Sequence, residues 1–283
     1  MHKKLNKIYI YHKHIHIMWM EEIRSILIST ANNLPDWVAL IVVPYTIFVS
    51  LYFALGFTLL SFDFIKPLNN LVRKYKCQSE KSPTIADVKR ILSVTIPQIL
   101  FLYPVGLIVL LPILRNTISL KEEDFPTVQT FLFSIVVFLF CSEIYFYYIH
   151  RLLHTPWFYS KVHKVHHEFT SPIALECIYF HWFEALSNLG VIGLGPVLLN
   201  SHVVMLWFWT AISIHGILIH HSGYEVPADN FPFLMNSMSH FHDYHHKHYN
   251  KAFGVIGLMD WIHGTGYNNY WKYHKNWEEN QES

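Results

Sequence analysis

Three short histidine clusters carry the chemistry this chain can do. "HRLLH" places His150 and His154 four residues apart, and "HKVHH" places His163, His166 and His167 at i, i+3 and i+4. "HDYHH" repeats that second spacing with His242, His245 and His246. Residues three and four apart share one face of an α-helix, so each cluster predicts a rigid backbone aiming imidazoles at one point. Neutral imidazole nitrogen is a good ligand for iron(II) and zinc. Eight such rings exceed the roughly four to six ligands one ion takes, so two neighbouring ions are the economical reading.

Other metal chemistries lack their residues. Cys77, Cys141 and Cys177 show no paired spacing, which argues against a disulfide framework, thiolate zinc and iron–sulfur clusters. Acids are scarce near the boxes, against a carboxylate-bridged bundle built on Glu-x-x-His. "HHEF" lacks the second histidine of a metalloprotease helix. The chain has 21 histidines, four in its first sixteen residues and the rest from His150 onward. The first four alternate with isoleucine and lysine and read as a solvated or interfacial tail. On spacing alone His181 and His221 are ordinary structural histidines, as are His202, His215, His220, His240, His248, His263 and His274.

The elements that must position these rings are membrane helices. Only 14% of the 283 residues are charged and 52% are apolar, whereas a soluble domain is nearer a quarter charged. Apolar runs at Trp37–Ile65, Ile91–Leu114 and Thr127–Ile149 are long enough to span a bilayer. Pro97, Pro104 and Pro112 predict kinks in the second. Ala185–Leu199 and Val203–Ile219 are each marginal and read as a hairpin or re-entrant pair. Glu143 lies inside the third span, where an acid is costly and functional by default; it could orient a ligand imidazole or make a plain interhelical hydrogen bond. Thr155-Pro156 predicts a helix end between the first two boxes.

The near-neutral net charge of +1 gives no nucleic-acid footprint. Seven Lys/Arg stand against Glu80 and Asp87 in the loop Lys66–Arg90, while the next connection is acidic. By the positive-inside tendency the loop and the end of the third span are cytosolic, and the histidine clusters share that face. The basic N-terminus conflicts with three simple crossings.

Taken together, the boxes resemble the fatty acid hydroxylase/sterol desaturase superfamily of membrane-bound non-haem diiron oxygenases. Its pattern is H-x3-H, H-x2-H-H and a later H-x2-H-H, here over about Ser142 to Gly266. "HKVHHEF", "LECIYFHWFE" and "HSGYEVP" are most similar to the C-4 methylsterol oxidase branch. "FHDYHHKHYNKAFGVIGLMDWIHGT" resembles equally its fatty acid hydroxylase domain-containing relatives. The resemblance implies two irons, O2 as oxidant, and electrons from NAD(P)H through cytochrome b5 or a reductase. It also adds His181 and His221 to the ligand set, making ten. Two positions depart from the family pattern: Trp182 replaces a common proline, and "GTGY" has Gly266 where an acid is usual.

The expectation is an all-α integral membrane protein with about four transmembrane or re-entrant helices and a cytosolic, helical, His-rich diiron cap. Its parts are an N-terminal tail (1–36), membrane helices (37–149), a hydroxylase-type domain (142–266) and a C-terminal tail (267–283). Its function would be hydroxylation of a sterol in the endoplasmic reticulum membrane, or hydroxylation or desaturation of a fatty-acyl or sphingoid chain. A zinc-binding or transport protein without enzymatic activity is the alternative of another class, although transport would place histidines along the spans rather than beside them.

Overall fold

Four helices are long and apolar enough to cross a membrane: Val38–Phe64 (α2), Ile85–Thr117 (α4), Val128–Leu153 (α5) and Val203–His220 (α8). They belong to a computed structural model that describes residues 21–225, 238–266, 268–272 and 274–275. His2, His12, His14 and His16 and most of both predicted tails lie outside the described residues. Residues 21–33 form a helix (α1), Lys66–Val72 a short one (α3) and Pro156–Lys161 another (α6). Trp182–Leu198 (α7) is apolar but shorter than a span. Met238–His248 (α9) and Leu258–His263 (α10) complete the labelled elements. The described residues contain no strand, only the isolated bridges Lys76↔Tyr224 and Ser119↔His202.

The second span starts at Ile85, ahead of the expected Ile91, because Thr84 and Asp87 form a capping box that satisfies the first backbone donors. Its prolines do not break it. Between Pro97 and Pro104 the chain widens into a π-turn at Gln98–Leu102, where the Tyr103 N–H bonds the Gln98 carbonyl. A similar turn at Val38–Val42 precedes Pro44. A π-turn shifts the hydrogen-bond register, which accommodates a residue with no N–H.

Val203–His220 is a full-length helix, not the marginal half of a re-entrant pair. It is also the inner one, with 56% of its apolar window buried within the protein against 22–28% for the other spans. Those three turn large side chains such as Leu100, Phe101, Val109 and Phe133 outward, as hydrocarbon contact requires. α8 packs on α2, and α5 on α7. At the α5/α7 contact a Cβ on Gly195 would stand 2.9 Å from Phe138 Cα, so only glycine permits that approach.

Two tethers tie the spans to the buried segment Ala174–Ile178 and its flank. Tyr52 Oη donates to the Leu175 carbonyl at 2.7 Å, and Gln98 Nε2 donates to the Phe180 carbonyl at 2.6 Å. That segment forms the floor of the histidine cap.

Candidate metal centre

α5 ends in the first box. His150 lies in its last turn and His154 is its C-cap. Thr155 turns extended and Pro156 opens α6, as the Thr-Pro pair predicts. The second box is not an α-helical face. It is a 3-10 segment, His163–Glu168, in which His167 leaves helical geometry at φ −80°, ψ 16°. The third box lies on α9. Its His242 and His246 share a face, and His245 points another way.

The boxes are therefore dealt across two groups rather than one per group. His150, His154, His163, His167 and His245 form the first, and His166, His221, His242 and His246 the second. Within each group the candidate ligand nitrogens all lie within 4.8 Å of one another. His166 separates from its box partners because the 3-10 segment turns its ring to the other side.

Hydrogen bonding among the rings cannot explain this packing. His167 Nε2 lies 3.2 Å from that of His154 and 3.1 Å from those of His163 and His245. His150 Nε2 is 3.1 Å from His163 Nε2. In the second group the spacings are 3.3 Å for His166–His221, 2.9 Å for His221–His242 and 3.0 Å for His242–His246. An imidazole nitrogen carries at most one hydrogen, so His167 cannot bond three neighbours. A shared cation accepts every lone pair, and ligand separations near 3 Å suit metal–nitrogen bonds of about 2.0–2.1 Å. The residues present fit one ion in each group.

The opposite ring nitrogens fix that direction. His150 Nδ1 donates to the Phe253 carbonyl at 2.8 Å, and His245 Nδ1 to the Lys251 carbonyl at 2.7 Å. His221 bonds the Ile217 carbonyl at 2.9 Å, and His246 the Phe169 carbonyl at 3.0 Å. His163 Nδ1 donates to the Glu184 carboxylate at 2.7 Å. Each bond holds the hydrogen on Nδ1 and leaves the Nε2 lone pair facing the group. Burial, reinforced by neighbouring rings, holds His163, His166, His167, His221, His242 and His245 well below the ordinary imidazole range. Burial likewise pushes His246 down to about 3 and His154 to about 2. Neutral rings are the form a metal needs.

Glu143 resolves to a different task from aiming an imidazole. Its carboxylate accepts the backbone N–H groups of Val255, Ile256 and Met259 at 2.6–2.9 Å. Asp260 accepts those of Phe253 and Gly254 at 2.9 and 2.7 Å. Together they shape the loop whose carbonyls orient His150 and His245. A Cβ on Gly254 would meet Glu143 Oε1 at 2.5 Å, so this close approach requires glycine.

The expectation that His181 joins the ligands is corrected. Its Nδ1 accepts the Phe183 N–H at 3.3 Å and caps α7, and it stands outside both groups. Three residues on, Glu184 reaches the site instead. An acid in the apolar run "HWFEALSNLG" was the available signal, but its pairing with His163 is long-range. His220 lies next to the second group. It is buried beside His242, with ring centroids 5.9 Å apart, and its Nε2 has no partner among the described residues.

A cavity of about 590 Å³ runs from the spans to this centre. Leu40, Phe48, Leu110, Leu139 and Leu206 line its membrane portion, and His150, His163, His166, His220, His221 and His242 its end. Pockets for small organic molecules occupy roughly 300–1,000 Å³.

The fatty acid hydroxylase family model matches residues 135–265. Fatty acid hydroxylase domain-containing protein 2 of Homo sapiens is 35% identical over 200 residues, covering 69% of this chain and 58% of that protein. Methylsterol monooxygenase 2-2 of Arabidopsis thaliana is 31% identical over 204 residues, covering 68% and 74%. Very-long-chain aldehyde decarbonylase GL1-10 of Oryza sativa subsp. japonica is 33% identical over 158 residues, covering 53% and 51%. The chain thus spans less than two thirds of the hydroxylase-domain relative's length, and no solved structure matches it. With its boxes inside the matched region and a relative covered over most of its length, the chain belongs to the fatty acid hydroxylase family.

Proposed function

We propose that the protein is a membrane-bound diiron monooxygenase that hydroxylates a sterol, in the manner of the C-4 methylsterol oxidases. The cavity carries this reading: its walls are apolar side chains of the spans and its end is the histidine centre. A lipid can pass from the bilayer to the two groups without meeting water. The ligands are His150, His154, His163, His167 and His245 for one iron, and His166, His221, His242 and His246 for the other. Bound iron supplies the O2 chemistry that oxidises an unactivated C–H bond, which no side chain can do. The chain's own residues hold the lone pairs inward, exclude water and position the substrate.

His220 favours a sterol over a plain hydrocarbon chain. A buried nitrogen in an apolar wall, beside the second group, suits a hydroxyl near the oxidised carbon, and burying such a group without a partner is costly. The overall reaction, in which a C–H bond, O2, two electrons and two protons give C–OH and water, draws its electrons from NAD(P)H through cytochrome b5 or a reductase. The centre faces the cytosol at the endoplasmic reticulum membrane, consistent with the basic loop after α2. A second reading, a fatty-acyl or sphingoid hydroxylase or desaturase, is supported by a relative named as a fatty acid hydroxylase in Mycosarcoma maydis, 33% identical over 195 residues.

Complementation of a sterol C-4 demethylation defect, with lipid profiling, tests the substrate. Clearance of 4-methylsterols is expected. Their persistence, with hydroxylated acyl chains appearing instead, would replace the sterol reading by the second. Stoichiometric zinc in both groups and no O2-dependent turnover would replace it by a binding protein.

A further inference from the structure

A third cluster of ligand-bearing side chains lies apart from the two histidine groups. Glu225 follows α8, His240 sits in the first turns of α9, and His274 lies near the end of the described chain. Their ligand atoms lie within 4.8 Å of one another, and all three residues are buried, to 7%, 0% and 5% exposure. His274 Nε2 stands 3.3 Å from Glu225 Oε1. The His240 and His274 rings are 4.8 Å apart at 86°, an edge-on arrangement that lets both present a nitrogen to one point. None of the three lines the substrate cavity.

The backbone builds this arrangement. Lys76 and Tyr224 form an antiparallel bridge, and the Glu225 N–H donates to the Tyr75 carbonyl at 2.7 Å, fixing where the carboxylate starts. Tyr270, fully buried, packs against both His240 and His274, with centroids 5.8 and 5.6 Å apart. Two imidazoles and a carboxylate are the donor set that takes zinc or iron(II) with a further position left open. Tetrahedral ligand atoms on such an ion stand roughly 3.3 Å apart, so closing this site needs only small side-chain movement.

We propose that Glu225, His240 and His274 form a third metal site, for one divalent ion of the zinc/iron(II) class, that clasps the C-terminal segment to α9. Its position away from the cavity makes it structural, and its zinc-like donor set separates it from the all-histidine groups. The clasp bears on the centre through α9, because His240 lies two residues before His242.

The test is metal analysis of the purified full chain for iron and zinc together, in the wild type and in the Glu225→Gln and His274→Ala variants. Three equivalents in the wild type are expected, falling to two in each variant, with the metal of the histidine groups retained. Glu225→Gln keeps a hydrogen-bonding partner for His274, so it separates metal loss from misfolding. Should His274→Ala fail to insert, cobalt(II) added to chelator-treated wild type and Glu225→Gln protein gives the answer, since one site fewer should fill in the variant. Two equivalents in the wild type, or equal metal in wild type and variants, would overturn the site and leave a hydrogen-bonded contact. Loss of turnover with three equivalents intact would count against the proposed function alone.

Discussion

The two histidine groups differ in ways that assign them different work. The first has five rings, and His163 leans on the Glu184 carboxylate. The second has four, oriented where bonded by the Ile217 and Phe169 carbonyls. Only His150 and His163 of the first reach the cavity, whereas His166, His221 and His242 of the second do. Five rings, three of them turned from the cavity, would come closer to saturating a bound ion. Four rings, three of them facing the cavity, would leave a bound ion a coordination position open toward it, as open catalytic sites have.

The largest expected effect comes from removing a ring of the second group. His242→Ala should cost more than the roughly 10–100-fold that loss of a supporting partner costs in activity. It should leave the metal of the first group in place and membrane insertion intact. Full activity in this variant, measured by O2-dependent lipid turnover, would erase the distinction between the groups.

Chelator-treated protein should next reveal the buried neutral rings. The folded pKa values lie below the ordinary 6.5, at about 3 for His246 and about 2 for His154, so the unfolded chain binds more protons between those values. This stabilising contribution is complete above 6.5 and is lost as pH falls toward 3. Each pH unit in that window costs about 1.4 kcal/mol per ring. Thermal melting of metal-free protein from pH 7.5 to 5 should therefore drop steeply, and a flat profile would contradict the burial.

Glu184→Gln tests the carboxylate unique to the first group's hydrogen bonds. It should weaken metal binding there by about 10–100-fold and spare the second, as read by chelator competition. Equal loss from both groups would show one coupled centre. The smallest effect belongs to His181→Ala, which removes an N-cap and should cost about 1 kcal/mol of stability with iron content unchanged. Loss of an iron would return His181 to the ligand set.

The sequence made some of this legible and hid the rest for physical reasons. His150 and His154 were readable because α5 is a regular helix whose end Thr155-Pro156 marks. The split of "HKVHH" was not, since His166 leaves its neighbours only where the backbone tightens to 3-10 and His167 departs from helical angles. The spans were legible as apolar runs, and the start of the second shifted where a capping box extended α4, whereas α8 begins at the expected Val203 behind its His202 cap. Glu184 stood out as an acid in an apolar run, but its pairing with His163, like the meeting of Glu225, His240 and His274, was invisible because it arises only in the folded chain, without periodic spacing.

Iron content of the purified wild-type protein, measured alongside O2 consumption with reductant and lipid, tests the central claim most directly. The account predicts two irons per chain in the histidine groups, beside the one iron or zinc of the third site, and O2 uptake coupled to a hydroxylated lipid. A single iron, or two zinc ions with no O2 uptake, would contradict it.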